Sequence, residues 1–342
     1  MTPPLAIPVD AQLTGAGPAD LAAFARAAER AGFSRLWAPE LHRSSTIALA
    51  VAAAATERIG VATGIALAFT RSPMTLALEA LDLDELSGGR MVVGLGAGVR
   101  RLNADWHAAP YDPPVARMRE TVAAFREITS ALAEGRDARS PGELVAVDVR
   151  GLRRGHAAPR TRIPVWLAAV LPGMTRLAGR VADGFLDHPV TSPAWLRDRL
   201  LPPLRAGAAR AGRPVPEVAG ALICAVDDAD PGRAVRAAAA TVGFYATVRT
   251  YAGMFSEHGF ADRLPAIREA FLAGDGARMA DAVGPDMTAA FAAAGTRADV
   301  VARAREHEGL CDRLWVTPPH HLQDADAVRH WQDGILGAFG AP

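Results

Sequence analysis

One carboxylate and two histidines are the side chains best placed to move protons in this chain. Glu40 and His42 follow the apolar run Ser34–Ala38, and His188 ends a second apolar run that begins at Gly184. Acids and imidazoles at the carboxyl ends of strands are typical general acids or bases. The alternatives are that Glu40 is an ordinary loop acid, that His42 is a solvated loop histidine, and that His188 makes a structural hydrogen bond. Glu40, His42 and His188 are therefore the candidate catalytic residues.

Glycines interrupt or follow two further apolar runs. Gly64-Ile65 lies inside the run Ile59–Leu67, where a glycine predicts a bulge or a close backbone approach. Gly96-Ala97-Gly98 follows a short buried run and would let backbone amides approach a ring or a phosphate. Because this loop lacks the third glycine and the helix start of the dinucleotide fingerprint, we exclude a nicotinamide-binding Rossmann fold.

A third group of small residues indicates a phosphate site. Ala168 and Ala169 lie near the end of an apolar run, and Leu171-Pro172-Gly173 leads into a helix that begins near Met174. Thr70 and Arg71 follow the Gly64 run, and Arg71 could face an anion or the end of a helix. Since no zinc motif, Walker loop or catalytic serine triad is present, the chemistry is best explained by a bound organic cofactor.

Strands alternate with helices along nearly the whole chain, which predicts an α/β fold. The expected strands are Leu5–Val9, Ser34–Ala38, Ile59–Leu67, Met91–Leu95, Pro164–Val170, Gly184–His188, Val218–Val226 and Leu310–Val316. Ser45 is expected to cap the helix after the second strand, and Ser87-Gly88-Gly89 is expected to end the helix Pro73–Leu86. Eight such repeats favour a (β/α)8 TIM barrel over an open doubly wound sheet.

We interpret residues 1–342 as one domain with two insertions. Residues 135–162 form an Arg-rich insertion before strand five, and residues 231–295 form a mostly helical insertion between strands seven and eight. The second insertion is a candidate lid, because insertions in a barrel commonly cover the active face.

Composition and charge restrict the classes of partner that are expected. The formal net charge is zero and half of the residues are hydrophobic, so neither nucleic acid nor a membrane is expected as a partner. No metal site is expected, since Cys224 and Cys311 have no further cysteine or histidine at ligand spacing and are interpreted as buried free thiols. Without a signal peptide pattern or a membrane-spanning run, a cytoplasmic protein is the expectation.

Five segments together resemble the luciferase-like monooxygenase superfamily, and within it the branch that depends on the deazaflavin coenzyme F420. They are AERAGFSRLWAPE at 28–40, TRSPMTLALEALDLDELSGGRMVVGLGAG at 70–98, PPVARMRETVAAFREI at 113–128, IPVWLAAV at 163–170 and LAGRVADGF at 177–185. The resemblance implies a (β/α)8 barrel and a non-proline cis peptide that forms a bulge behind the cofactor ring, at the position matched by Gly64-Ile65. It also implies a homodimer, because members of the superfamily often dimerise through helices two and three. Burial within the barrel would equally explain the apolar residues of 46–55.

The resemblance also implies roles for single residues. Glu40 would lie near the reactive edge of the ring, and Gly96, Ala97 and Gly98 would approach the chain of the cofactor. The phosphate would be held by the loop after strand five. Thr70 is added because it follows the apolar run that contains Gly64. The candidate cofactor-binding residues are then Glu40, Gly64, Ile65, Thr70, Gly96, Ala97, Gly98, Ala168, Ala169, Gly173 and Met174.

Two departures from the family pattern limit the function. Leu171-Pro172-Gly173 stands where many deazaflavin enzymes have Gly-Pro-Lys, so a cation is missing from the phosphate site. Leu41 and Val99 stand where the sugar-phosphate dehydrogenases have histidine and glutamate, which argues against a glucose-6-phosphate-type reaction. The expected function is hydride transfer between F420 and a small organic substrate. An FMN-dependent monooxygenase and a non-catalytic barrel that binds a cofactor or metabolite are the alternatives.

Overall fold

The computed structural model describes residues 5–340, which form two compact units. The central unit comprises residues 35–186 and 202–217, and the terminal unit comprises residues 5–34, 187–201 and 218–340. The strands in chain order are β1 Val9–Gln12, β2 Arg35–Ala38, β3 Gly60–Thr63, β4 Ala66–Leu67, β5 Met91–Gly96, β6 Ala138–Ser140, β7 Val147–Val149, β8 Val165–Ala168, β9 Gly184–Leu186, β10 Glu217–Val226, β11 Ala292–Gly295 and β12 Arg313–Thr317.

Helices follow most of these strands. In chain order they are α1 Pro18–Arg30, α2 Ser45–Ala55, α3 Pro73–Leu86, α4 Pro114–Glu134, α5 Pro172–Val181, α6 Pro193–Trp195, α7 Leu201–Arg210, α8 Pro231–Ala246, α9 Ala252–Glu257, α10 Leu264–Leu272, α11 Gly276–Phe291, α12 Arg297–Ala304 and α13 Ala325–Phe339. Within residues 5–340, none of the helices is both long and apolar enough to cross a membrane.

The central unit is built on a parallel sheet with the strand order β2-β3-β5-β8-β9, and β4 pairs with β5. Its strands are almost wholly buried, as expected for parallel strands covered by helices on one face and packed side chains on the other. The helix α3 begins where the Ser72 hydroxyl accepts a hydrogen bond from the Thr75 amide at 3.1 Å. It ends as predicted before Gly88 and Gly89, whose φ angles of 64° and 86° suit glycine.

The Arg-rich insertion is held on the central unit by ion pairs. It contains the antiparallel hairpin β6–β7, and the exposed end of α3 contacts it through Arg154, which donates to Asp82 and Glu85 at 3.0 and 2.9 Å. Arg160 donates to Asp84, whose side chain has no exposed surface, at 2.6 and 3.1 Å. These arginines therefore have a structural role in holding the insertion on the central unit.

The terminal unit contains the parallel strands β1, β12, β10 and β11, which pair in that order. The insertion between β10 and β12 is mostly helical, as predicted, and its helices α8 to α11 enclose a second apolar core. Phe255 and Phe291 are fully buried there with ring centroids 4.8 Å apart. The single-domain interpretation of the whole chain stays a prediction.

The structure corrects five boundaries. The first strand is Val9–Gln12 rather than Leu5–Val9, because its pairing with β12 begins only at Val9, one residue after Pro8. Ser44, not Ser45, caps α2 by accepting from the Ile47 amide, and Ser45 is the first, buried helical residue. The sixth strand ends at Leu186, since the amide of His188 bonds to the side chain of Asp187 instead of a neighbouring strand.

The other two corrections lie in the terminal unit. The last strand begins at Arg313 rather than Leu310, because residues up to the isolated bridge at Cys311 still form a turn. The insertion at 231–295 ends in the strand β11, whose four residues Ala292–Gly295 pair with Ile223–Val226. Alanine and glycine have low strand propensity, so this strand depends on the edge that β10 offers.

Candidate active site

A backbone bulge joins β3 and β4 in the central unit. The peptide bond between Gly64 and Ile65 is cis, at the position that the family resemblance implied. On one side, the Gly64 amide donates to the Ala38 carbonyl at 2.7 Å, and the Glu40 amide donates to the Ile65 carbonyl at 3.2 Å. These bonds join the bulge to the carboxyl end of β2, so the candidate site residues Glu40, Gly64 and Ile65 are brought together here.

The glycines of β5 make room for this bulge. A Cβ atom on Gly94 would lie 2.1 Å from the Thr63 carbonyl oxygen, and one on Gly96 would lie 2.8 Å from Cδ1 of Ile65. A Cβ atom on Gly98, whose φ is +63°, would lie 2.7 Å from Cδ2 of Leu67. The three glycines thus make room for three alternate residues of the bulged segment, which are Thr63, Ile65 and Leu67. We call Gly94, Gly96 and Gly98 the glycine ladder.

The contacts of the glycine ladder give the glycines of the Gly96-Ala97-Gly98 loop a packing role that the sequence did not predict. The sequence suggested that these glycines admit a cofactor, whereas Gly96 is buried and its missing side chain is replaced by that of Ile65. Gly64 has a comparable reason, since its Cβ would lie 2.7 Å from Cβ of Trp37 on β2. The glycines therefore shape the bulge.

Glu40 has both carboxylate oxygens engaged. Oε2 accepts a hydrogen bond from the Leu67 amide at 2.7 Å, and Oε1 forms an ion pair with a guanidinium nitrogen of Arg71. The other terminal nitrogen of Arg71 donates to Glu79 at 2.8 Å. Thr70 lies in the same turn, where its hydroxyl donates to the Leu67 carbonyl at 3.2 Å. Arg71 thus faces two carboxylates of the protein itself, those of Glu40 and Glu79. His42, by contrast, is exposed on the loop before α2.

Asn103 is a buried residue of the short π-helix Leu102–Trp106 after β5, and the sequence analysis missed it. Its Nδ2 donates to the carbonyl oxygens of Ala97 and Val99 at 2.8 and 3.0 Å, which fixes the loop after the glycine ladder. Within residues 5–340 its Oδ1 is buried without a hydrogen-bond partner. No local motif identifies this asparagine, because its partners are loop carbonyls whose direction depends on the fold.

The candidate phosphate site lies at the start of α5. Leu171 precedes the helix without a side-chain cap, and Gly173 and Met174 follow Pro172 in the first turn, where amides have no intrahelical acceptor. The Thr175 hydroxyl turns back to the Leu171 carbonyl at 2.9 Å. Ala168 ends β8 opposite Leu186, and Ala169 is buried. The amides of this turn are the groups that an anion would meet.

His188 lies in the terminal unit and belongs to a different set of contacts. Its Nδ1 accepts from the Val190 amide at 3.2 Å, so the neutral ring carries its proton on Nε2, which lies 3.1 Å from the Tyr251 hydroxyl. Its ring packs against Tyr245 and Tyr251, with centroids 4.8 and 4.6 Å apart. Burial lowers the pKa of His188 to about 3, which keeps the ring neutral at physiological pH.

Two further buried polar groups flank this region of the terminal unit. Burial raises the pKa of Asp187 to about 7, although the Thr191 hydroxyl and the His188 amide donate to its carboxylate. Gln12 ends β1, and its Oε1 accepts from the Thr317 hydroxyl at 2.8 Å. Its Nε2 is buried without a partner among the described residues. Neither residue stood out in the sequence, because each lies in an ordinary apolar run.

Comparison with known proteins agrees with this description. The sequence model of the family described as luciferase-like monooxygenase matches residues 5–313. An uncharacterized protein of Mycobacterium tuberculosis is 34% identical over 313 residues, which cover 89% of this chain and 92% of that protein. The 5,10-methylenetetrahydromethanopterin reductase of Methanolobus tindarius is 30% identical over 297 residues, covering 84% and 86% of the two chains.

A solved structure supports the fold. The coenzyme F420-dependent tetrahydromethanopterin reductase of Methanopyrus kandleri aligns with a TM-score of 0.82 at 23% identity, covering 98% of this chain and all of that one. The predicted α/β fold, a (β/α)8 TIM barrel, is thereby confirmed. Because the family match spans most of the sequence, the chain belongs to the luciferase-like monooxygenase family.

Proposed function

We propose that this protein is an oxidoreductase that transfers a hydride between coenzyme F420 and a small organic substrate. The observation that carries the proposal is the bulge at Gly64-Ile65, held against the end of β2 and received by the glycine ladder. A rigid, small-residue surface of this kind suits the face of a flat ring. The similarity to a methylenetetrahydromethanopterin reductase and the fold shared with an F420-dependent reductase support the same cofactor.

The residues of the central unit fit a deazaflavin. The bulge would lie behind the ring, and the loop Gly96-Ala97-Gly98 with its fixing residue Asn103 would follow the chain of the cofactor. Asn103 offers a buried acceptor without a partner in the described structure, which a ligand or a bound water would satisfy. Ala168, Ala169, Gly173 and Met174 would hold the phosphate through backbone amides, since helix N-termini bind anions without a cation.

The chemistry divides between the cofactor and the chain. When bound, the deazaflavin supplies or accepts the hydride at C5, a step that requires close approach and exclusion of water. The residues of this chain would bind and orient the ring and provide the proton that accompanies the hydride. Among the candidates His188 is a neutral hydrogen-bond donor, and His42 is solvent-exposed, so neither resembles a buried cationic acid.

A parallel titration with oxidised F420 and with FMN, followed by tryptophan fluorescence, tests the cofactor. Tight binding of F420 alone is expected, and a change in the absorbance of the deazaflavin on addition of substrate would then report turnover. Gly64→Ala should abolish binding, because its Cβ would lie 2.7 Å from Trp37. Gly155→Ala is the matched control, since nothing lies within 4 Å of its Cβ position. Binding of neither cofactor to the folded wild-type protein would refute the proposal.

An FMN-dependent monooxygenase is the second candidate, favoured by the name of the family that the sequence matches. Such an enzyme would bind FMN and consume oxygen in the presence of its substrate. Coupled oxygen uptake therefore separates the two candidates without knowledge of the natural substrate.

A homodimer is a further proposal. Ile47 on α2 is 63% exposed, and Leu78 and Leu86 on α3 are 37% and 49% exposed, so the two neighbouring helices of the central unit carry large apolar side chains on their outer surface. Light scattering after size-exclusion chromatography would give twice the mass of the chain if the proposal is right.

A further inference from the structure

The position of Glu40 suggests that it is the acid of the reaction, but its contacts indicate a different role. Its side chain is 12% exposed, and that of Arg71 is 15% exposed. One carboxylate oxygen accepts from the Leu67 amide at 2.7 Å, and the other forms the ion pair with Arg71. Both oxygens thus accept hydrogen bonds, and an acid that donates a proton would have to break one of these contacts.

The ion pair also restricts the position of the carboxylate, because both side chains are largely shielded from solvent. Hydrogen bonds with one charged partner are about twice as strong as those between neutral groups. Arg71 is itself held by Glu79, at 2.8 Å, so it cannot turn away from Glu40 without losing a second carboxylate.

Glu40 contacts the bulge through both its backbone and its side chain. Its backbone amide donates to the Ile65 carbonyl at 3.2 Å, while its side chain accepts from the Leu67 amide. These two groups lie on either side of Ala66 along the chain, in the two peptide units that follow the cis peptide. Glu40 therefore supplies two of the three hydrogen bonds described here between the bulge and the end of β2, and the Gly64 amide supplies the third.

We propose that Glu40 is a positioning residue, which holds the bulge in place, and that Arg71 and Glu79 hold Glu40. This inference rests on the proposed function only in that the bulge is the surface for the cofactor ring. The proton of the reaction then comes from a group other than Glu40.

Hydrogen exchange of the cofactor-free protein gives a first test. In Glu40→Ala and in Arg71→Met, the Leu67 amide should exchange at least tenfold faster than in the wild type. In Glu40→Gln it should exchange at an intermediate rate, because glutamine keeps an oxygen for the Leu67 amide. Arg150→Met is the matched control, since its ion pair with Asp148 is largely exposed. Unchanged protection of Leu67 in both Glu40→Ala and Arg71→Met would overturn the inference.

Cofactor affinity and turnover give the second test. A positioning residue predicts that Glu40→Ala and Arg71→Met both raise the Kd for F420 at least tenfold, with partial rescue by Glu40→Gln. A catalytic acid predicts that Glu40→Gln is as inactive as Glu40→Ala, that Kd is unchanged, and that Arg71→Met is much milder. That second pattern would overturn the inference. If the wild type binds neither F420 nor FMN, the proposed function fails, and the exchange data alone still decide the role of Glu40.

Discussion

Gly94→Ala should disrupt the candidate site although Gly94 is not one of the candidate site residues. The residue lies in the middle of β5, opposite the end of β3. A Cβ atom there would lie 2.1 Å from the Thr63 carbonyl oxygen and 3.3 Å from the ring of Trp37. An ordinary contact needs at least 3.4 Å, so the two strands would have to separate by more than an ångström.

The expected loss in the free energy of unfolding follows from the contacts that this separation breaks. The Thr63 hydroxyl donates to the Gly94 carbonyl at 2.7 Å and accepts from the Gly94 amide at 2.9 Å. Loss of both bonds costs about 1–3 kcal/mol. Overpacking in a dense core adds about 1–3 kcal/mol. The free energy of unfolding should therefore fall by about 4 kcal/mol, which corresponds to roughly 8 °C in Tm for a large domain.

Thermal unfolding of the cofactor-free protein, followed by circular dichroism, measures the effect. Gly173→Ala is the control, because its Cβ would lie 3.6 Å from Val115, an ordinary contact in the first turn of a helix. That variant should be unchanged or more stable by up to about 1 kcal/mol. A Tm of Gly94→Ala within about 2 °C of the wild type would refute the reasoning, since the Thr63 carbonyl would then have room to move.

Three further predictions concern stability. Arg160→Ala should lower the free energy of unfolding by about 3 kcal/mol in urea titrations, because it leaves the fully buried Asp84 carboxylate without its guanidinium, and little loss would show that water replaces the arginine. Ser44→Ala should cost about 1 kcal/mol by removing the cap of α2, whereas an equal stability would mean that the cap contributes nothing. Asp187 has a folded pKa of about 7 against 3.8 in the unfolded chain, so the native state holds a proton that the unfolded state releases in this window. The contribution of Asp187 to the free energy of unfolding falls by about 4 kcal/mol as the pH rises from 4 to 7. Asp187→Asn should remove that decline from the pH dependence of the free energy of unfolding.

Much of the fold could be predicted because its signals are local. The helix α3 was predicted with both of its ends, since the Ser72 cap, the apolar spacing and the two glycines lie within a few residues of it. The bulge at Gly64-Ile65 was predicted from a glycine inside an apolar run and from a family resemblance. The strand β11 was not, because four small residues adopt a strand only where the edge of β10 is available to pair with them.

The site residues divide in the same manner. Position along the chain was enough to name Glu40, Thr70 and the loop after β5 as candidates, because the carboxyl ends of parallel strands follow apolar runs in the sequence. It was not enough to assign their roles. The ion pair of Glu40 joins residues 31 positions apart, and the orientation of Asn103 depends on carbonyls that only the folded loop presents.

The sequence by itself therefore determined the alternation of strands and helices, the family and the places where ligands are expected, because each depends on residue types at short spacing. Only the tertiary structure decided that the glycine ladder receives a bulge, that Arg71 faces Glu40 and Glu79, and that His188 is a neutral partner of Tyr251. Those facts depend on which distant groups come within hydrogen-bond or van der Waals distance. That proximity is a property of the packed chain, and no short segment of it carries the information.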